Sequence, residues 1–207
     1  MATSKLQRWG ILTIVIVTTV GTLGSFAVMV LQPQNQAADS EKQQKLYSDY
    51  QAKYKEYEAK VTAQGDQLSA QYYETFKQYQ SQVGTFDRDG VKAMVSEDLV
   101  VGDGEVVTGT TKFAAYYIGW NPKGKIFDGS VDTTANKLKP PLSISDGLDA
   151  AGLISGWKEG MKGMRIGGVR VLTIPSDKAY GEAGQGDDIP ANTPIRFVVM
   201  AIAAPEA

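Results

Sequence analysis

The chain has 207 residues and a formal net charge of -2, with 21 basic and 23 acidic side chains. This balance leaves no broad basic surface, so we expect no nucleic-acid partner. Histidine and cysteine are absent from the sequence, which excludes imidazole and thiolate metal sites, disulfides and nucleophiles activated by histidine. We therefore expect a functional site that works without a metal or a cofactor.

The N-terminal part contains a long stretch without charge, residues 9–31. As a helix it would be roughly 34 Å long, enough to cross the hydrocarbon core of a bilayer. Lys5 and Arg8 precede it, and the next charge is Asp39. By the positive-inside tendency, residues 1–8 are predicted to be cytoplasmic, with the rest of the chain beyond the membrane.

A cleaved signal peptide is the alternative for this region. Lys5 and Arg8 would form its basic part, and Ala37-Ala38 would offer small residues for cleavage. The apolar stretch is longer than the core of about 7 to 15 residues that such peptides usually have. A retained transmembrane anchor is therefore favoured, and both readings export the remainder.

Residues 32–83 are predicted to form a helical stalk, because residues 36–83 are rich in Gln, Lys, Glu, Ala and Tyr and contain no Pro. Apolar and aromatic residues recur there at helical spacing in two stripes. The first stripe is Tyr47, Tyr50, Tyr54, Tyr57 and Val61, and the second stripe is Leu68, Tyr72, Phe76, Tyr79 and Val83. Three arrangements stay open: a solvated stalk whose stripes are covered by itself or by the following domain, a coiled-coil dimer, and a hairpin folded at Gly65-Asp66.

Residues 84–207 are predicted to form a compact α+β domain. Short β-rich runs such as KFAAYYIGW, VRVLTI and PIRFVVMAIA are separated by turns, which indicates an antiparallel sheet. The segment LDAAGLISGWKEGMKGM carries apolar residues at helical spacing, so one main helix should pack on a sheet face. That stripe consists of Leu153, Ile154, Trp157, Met161 and Met164.

Four segments of this domain, in order, are YYIGW, FDGS, GLISGWKEGMKGMRIGGVRVLTIPSDKAYGEAG and IPANTPIRFVV. Together they resemble the FKBP-type peptidyl-prolyl cis/trans isomerases over about 110 residues. The resemblance implies a curved antiparallel sheet packed on one short helix, with an apolar pocket between them. It also implies that proline-containing polypeptides are the substrates.

The resemblance also implies roles for individual residues. Trp157 matches the indole at the floor of the family's pocket, while the backbone amide of Ile154 and the hydroxyl of Tyr180 match groups that bond to ligand carbonyls. Catalytic positions are matched by Tyr117, Phe127, Asp128, Trp157, Tyr180 and Phe197, and substrate-binding positions by Leu142, Leu153, Ile154 and Ile189.

Three residues depart from the family's usual pattern. Leu142 stands where an aromatic side chain is frequent, Gln185 where an aromatic or histidine is frequent, and Asp188 where an apolar residue is common. The departures make the pocket rim wider and more acidic, which should alter substrate preference more than fold.

Together these features predict a membrane-anchored isomerase that assists the folding of exported proteins at the outer face of the membrane. The alternative is a non-catalytic module that binds proline-containing segments or a partner. Self-association through the stalk is left open. Rotation about an X-Pro bond needs no acid, base or metal, so a site without histidine or cysteine is chemically sufficient.

Overall fold

The computed structural model describes residues 36–205. Within that range, no helix combines the length and the apolar composition needed to cross a bilayer. The predicted cytoplasmic N-terminus (residues 1–8) and the predicted anchor (residues 9–31) lie outside the described residues.

The predicted stalk is one continuous helix, α1 (Gln36–Lys77), followed by a 3-10 helix, Gln78–Gln82. Gly65 and Asp66 lie inside α1, so the hairpin, one of the arrangements left open, is wrong. A glycine within a helix costs only about 1 kcal/mol relative to alanine, and Ala63, Gln64 and Gln67 beside it favour helix.

The two halves of α1 have different surroundings. In the first stripe Tyr47 and Tyr57 are 65% and 61% exposed. In the second stripe Phe76 is fully buried, and the other four side chains are half-buried. A compact unit accordingly begins at Thr62, whereas the sequence pattern suggested a domain starting at residue 84. The second stripe is thus covered by the domain, which was one of the arrangements left open.

The domain is built on a six-stranded sheet. Its strands are β1 (Val95–Val100), β2 (Phe113–Trp120), β3 (Ile126–Gly129), β6 (Leu142–Ile144), β7 (Val169–Ile174) and β8 (Ile195–Ala203). They lie in the order β1-β7-β8-β2-β3, with β6 also paired to β2. All of these pairings are antiparallel, as predicted. Strand β2 pairs with β8 along its whole length, so these two strands form the centre of the sheet.

Two further strands, β4 (Val131–Asp132) and β5 (Lys137–Leu138), form a small separate hairpin. It rests on α1, because the backbone N–H of Leu138 donates to Ser69 Oγ at 2.8 Å. Ser69 is buried, so this bond joins the helix to the segment that follows β3.

The sheet has an apolar core on each face, since alternate side chains of β2 and β8 point to opposite sides. On the first face lies the short helix α2 (Ser155–Met161), which brings Trp157 and Met161 against Phe197 and Val199. On the second face Phe76 of α1 packs with Tyr116, Ile118 and the neighbouring side chains. Residues 62–83 therefore cover the second face of the sheet, as α2 covers the first.

Helix α2 is shorter than the predicted apolar stripe, because Leu153, Ile154 and Met164 lie outside it. Two glycines bring it close to the sheet: a Cβ on Gly156 would lie 2.3 Å from Ile174 Cγ2, and one on Gly160 would lie 2.7 Å from Leu172 Cδ2. The buried Arg170 of β7 also holds the C-terminal end of α2, because it donates to the carbonyl of Gly160 at 2.8 Å.

Arg170 also joins β1 to this arrangement. Its Nε and Nη2 donate to the two carboxylate oxygens of Asp98, at 2.6 and 2.9 Å. Paired, two-point contacts of this kind fix geometry as well as contributing energy. The backbone that carries Trp157 is therefore braced from β7 and, through it, from β1.

The hydroxyl of Tyr116 is buried on the second face and has no hydrogen-bond partner within residues 36–205. Burial raises the pKa of Tyr116 from its ordinary 10.0 to about 12. The neutral phenol is therefore favoured in the folded state, while the unfolded chain ionises first as the pH rises. Stability should fall between about pH 10 and pH 12 for this reason.

We expect Tyr116→Phe to raise the free energy of unfolding by about 1 kcal/mol at pH 7, because it removes an unpaired buried polar group. Urea denaturation at pH 7, 10 and 11 measures this, and the gap between the variant and the unaltered chain should widen at the higher pH values. A less stable variant at pH 7 would show that the hydroxyl is satisfied in solution.

Candidate active site

Three elements bring aromatic rings together on the first face of the sheet. Tyr117 comes from β2, Phe197 from β8 and Trp157 from α2, and the Trp157 ring lies 5.4 Å from that of Tyr117 and 5.2 Å from that of Phe197, in both cases edge to face. Edge-to-face contacts at such distances are favourable beyond the area that they bury. Trp157 is 3% exposed and Phe197 4% exposed, so the group has a fixed, largely dry base.

Phe127 of β3 extends this aromatic group, with its ring 5.5 Å from that of Phe197 and nearly perpendicular to it. The two rings meet above Gly119, where a Cβ would lie 2.4 Å from Phe197 Cε1 and 2.8 Å from Phe127 Cε2. Any larger residue would push these rings apart. The glycine of the YYIGW motif is therefore a packing requirement of the aromatic site.

A polar edge adjoins the rings. The Tyr117 hydroxyl donates to Asp128 Oδ2 at 2.9 Å, and the N–H of Gly129 donates to Asp128 Oδ1 at 2.9 Å. Ser130, which is buried, accepts a hydrogen bond from the N–H of Tyr117 and donates its own N–H to the Tyr117 carbonyl. The β2–β3 pairing thus fixes the place of the Asp128 carboxylate beside the aromatic group.

Three aliphatic residues lie at the margin of the same core: Leu142 of β6, and Leu153 and Ile154 before α2. All three are half-buried. Ile154 caps the helix, and its carbonyl accepts from the N–H groups of Trp157 and Lys158 at 3.1 and 3.3 Å. Its backbone is extended, with φ -57° and ψ 149°.

The segment 181–192, here called the flap, supplies the remaining side. Ile189 is buried in the core of the first face, and Tyr180, immediately before the flap, packs against that core. A tight turn shapes the flap, with the N–H of Gln185 donating to the Ile189 carbonyl at 2.7 Å. Gly184 has a φ of +63°, and a Cβ there would lie 2.4 Å from the Ile189 carbonyl oxygen, so the turn requires glycine.

The structure therefore brings all ten predicted site residues to one place. Nine belong to the core of the first face or pack against it, and Asp128 joins through its bond to Tyr117. The catalytic or binding role assigned to each stays a prediction.

Two of the three departures lie in the flap. Gln185 is exposed and contributes through its backbone. Asp188 forms an ion pair with Lys125, so its carboxylate does not leave an uncompensated acidic rim. Leu142 pairs with Ala115 of β2 and leaves the edge of the core half-covered.

Sequence reasoning missed several residues that hold this site in place. Ser130, Asn121 and Arg88 each bond to backbone groups of pocket segments. Ser130 could have been suspected, because it completes the FDGS motif. Nothing in the sequence indicated what Asn121 and Arg88 contact.

Tyr117→Phe should lower kcat/KM by about threefold to tenfold, since it removes the hydroxyl that orients Asp128 and a bond of this kind is worth about 1 kcal/mol. The measurement is isomerisation of an X-Pro peptide by the full chain. Tyr57→Phe, on the exposed first stripe, is the matched control and should leave the rate unchanged. Equal rates for both variants would contradict a role for the hydroxyl.

Comparison with known proteins places this site in a family. A sequence model described as FKBP-type peptidyl-prolyl cis-trans isomerase matches residues 103–202. The FK506-binding protein of Neisseria meningitidis serogroup A is 37% identical over 107 residues, which cover 52% of this chain and 92% of that protein. A probable FK506-binding protein of Corynebacterium glutamicum is 35% identical over 112 residues, covering 54% of this chain and 86% of that protein.

Among solved structures, AtFKBP13 matches with a TM-score of 0.47 and 28% identity, covering 56% of this chain and 95% of that one. From the sequence relationships, the chain belongs to the FKBP-type peptidyl-prolyl cis-trans isomerase family. It is an isomerase of this type, as the motifs indicated. The residues that the family model matches lie in the unit that begins at Thr62.

Proposed function

We propose that this isomerase acts on X-Pro bonds of exported polypeptides at the outer face of a membrane, to which residues 9–31 anchor it. The observation that carries the catalytic part is the rigid aromatic group of Tyr117, Trp157 and Phe197 on one sheet face. The location rests on the uncharged stretch and on the lysine and arginine before it.

The chemistry follows from the nature of the barrier. Rotation about the C–N bond costs about 18–20 kcal/mol because the amide loses its resonance, and no bond has to be broken. The twisted amide is less polar across C–N than the planar one, so a dry apolar pocket should bind it better. The buried Trp157 and Phe197 supply such surroundings.

Two polar groups are assigned to hold the substrate chain on either side of the rotating bond. The backbone N–H of Ile154 and the hydroxyl of Tyr180 correspond to groups that bond to ligand carbonyls in the family. Both residues border the same core as the aromatic rings. Fixing the flanking carbonyls adds orientation to desolvation, which lowers the entropic part of the barrier.

Catalysis of folding can be tested by refolding an exported protein whose slow phase is prolyl isomerisation, a step that takes tens of seconds or more. The full chain in detergent should shorten that phase, and Trp157→Ala should shorten it much less. A slow phase that the unaltered chain leaves as it is would refute the folding role.

The topology can be tested with cysteine labelling, since the chain has no cysteine of its own. Ser143→Cys, at an exposed position of β6, should react with an impermeant maleimide in spheroplasts. Ser4→Cys, in the predicted cytoplasmic part, should react only after lysis. The reverse pattern would contradict the proposed orientation.

We also propose that the first stripe joins two copies in parallel. With Tyr54 at an a position of the heptad, Lys53 falls at g and Glu58 at the following e. In a parallel pair, g of one helix faces the following e of the other, so each Lys53 would meet Glu58 of the second copy. Because the side chains of this stripe are largely exposed, they are available for such a contact.

Sedimentation of the full chain in detergent tests this contact. Lys53→Glu should weaken the dimer, and the double change Lys53→Glu with Glu58→Lys should restore it. A monomer at all concentrations, or equal dimerisation by all three chains, would refute the arrangement.

A further inference from the structure

The turn between β2 and β3 and the flap are joined by one buried side chain, Asn121. Its Nδ2 donates to the carbonyl of Asp188 at 2.8 Å, across 67 positions of sequence. Its Oδ1 accepts the N–H groups of Lys123 and Lys125, at 3.0 and 3.1 Å. Asn121 is 6% exposed, so these bonds are shielded from water.

The three contacts require an amide at this position. One end must accept two N–H groups and the other must donate to a carbonyl, which a carboxylate or a hydrocarbon cannot do. Backbone bonds anchor the same residue in the turn, because its N–H donates to Lys125 and its carbonyl accepts from Gly124, at 3.0 and 2.9 Å. The donor to the flap therefore projects from a fixed base.

A second contact holds the other end of the flap. Arg88 Nη2 donates to the carbonyls of Ala191 and Asn192, at 3.1 and 3.0 Å. Arg88 lies between α1 and β1, and the N–H of nearby Phe86 donates to the carbonyl of Pro122 in the β2–β3 turn. Arg88 and Asn121, which are far apart in sequence, thus hold the flap by hydrogen bonds on both sides of Ile189.

The consequence falls on the wall of the aromatic site. Ile189 is 1% exposed, lies in the same core as Trp157 and Phe197, and directly follows the residue that Asn121 holds. A flap that opens would remove this side chain from the wall and let water in. Shaped, dry sites of this kind depend on such supporting bonds.

We propose that Asn121 and Arg88 are positioning residues that clamp the flap and so keep Ile189 in the wall of the active site. This inference rests on the isomerase activity proposed for the site. The rate of the unaltered chain tests that activity, and the rates of the variants test the clamp. The clamp predicts that flap opening and catalytic efficiency change together.

Asn121→Asp isolates the bond to the flap. The carboxylate still accepts from Lys123 and Lys125, but it cannot donate to the Asp188 carbonyl and repels it. We expect kcat/KM to fall by about tenfold and hydrogen exchange of the flap peptide containing Gln185 to rise by about tenfold, the effect of losing one buried bond. Exchange across the turn 121–125 should change much less.

Arg88→Ala is the second variant, and as an exposed residue it should not prevent folding. It should speed exchange at residues 191 and 192 and lower kcat/KM by about twofold to fivefold, a smaller effect than that of Asn121→Asp because Arg88 is exposed and water competes for its bonds. For both variants, kcat/KM and hydrogen exchange are measured on the full chain in detergent, under conditions in which the variant is fully folded.

Thr111→Val is the matched control at the opposite end of β2. Thr111 is also buried in a turn, accepting the N–H of Thr108 at 3.0 Å and donating to the Val106 carbonyl at 3.2 Å. The Thr111→Val variant should be less stable, but its kcat/KM and the hydrogen-exchange rate of its flap should equal those of the unaltered chain. The clamp is overturned if Asn121→Asp and Arg88→Ala keep the unaltered kcat/KM, or if Thr111→Val loses as much activity at equal loss of stability.

Discussion

Phe76→Ala should lower the free energy of unfolding of the domain by about 3–5 kcal/mol, the usual cost of emptying the place of a buried phenylalanine. Phe76 is fully buried, and its ring lies 5.9 Å from Tyr116 and 6.2 Å from Tyr79. The loss would show that residues 62–83 are part of the folded domain. Urea denaturation followed by tryptophan fluorescence measures it.

Lys55→Ala is the control on the same helix, and as an exposed residue outside both stripes it should change stability by less than about 0.5 kcal/mol. The same reasoning predicts that a fragment of residues 62–207 is far more stable than one of residues 84–207. Equal stability of the two fragments would mean that the sheet does not need α1 to cover its second face.

Trp157→Ala should reduce kcat/KM by at least about tenfold, because it removes the base of the aromatic group and admits water. It should also cost about 3–5 kcal/mol of stability, since Trp157 is buried and packs edge to face on Tyr117 and Phe197. The rate of X-Pro isomerisation, measured where the variant is fully folded, separates these two effects.

Phe76→Ala serves as the comparison for that variant. It empties a site of similar size on the other face of the sheet, so it should cost comparable stability while leaving kcat/KM of the folded chain near that of the unaltered chain. If both variants lose activity in proportion to their stability, Trp157 has no special part in catalysis.

The sheet and the site were largely predictable from the sequence. Alternation in KFAAYYIGW and PIRFVVMAIA marked β2 and β8, whose pairing forms the centre of the sheet. Nine of the ten site residues lie in the ordered motifs, all but Leu142, and the ten lie together as that order implied. None of them would have been assigned alone, because Leu153 and Phe197 are also ordinary core residues.

The boundary of the domain was not predictable in the same way. The second stripe is amphipathic, and such a stripe can pack on a sheet or on another helix with equal ease. The stripe packs on the sheet because the second face carries apolar side chains, such as Ile118 and Met200, that would otherwise be exposed. That requirement appears only when the strands are paired.

The flap contacts were missed for a different reason. Asn121 looks like a common turn residue, and its partner is a backbone carbonyl 67 positions away, which carries no side-chain signature. The same holds for Arg88 and the carbonyls of Ala191 and Asn192. Such bonds depend on tertiary placement and have no pattern along the chain.

We expect the aromatic group of Tyr117, Trp157 and Phe197 to catalyse X-Pro isomerisation. The most direct measurement is the isomerisation rate of a panel of X-Pro peptides with the full chain in detergent, beside Tyr180→Phe and Trp157→Ala. We expect acceleration by the unaltered chain and a clear loss in both variants. If the folded chain accelerates none of the peptides, or if the variants are as fast as the unaltered chain, this aromatic group is not the catalytic site.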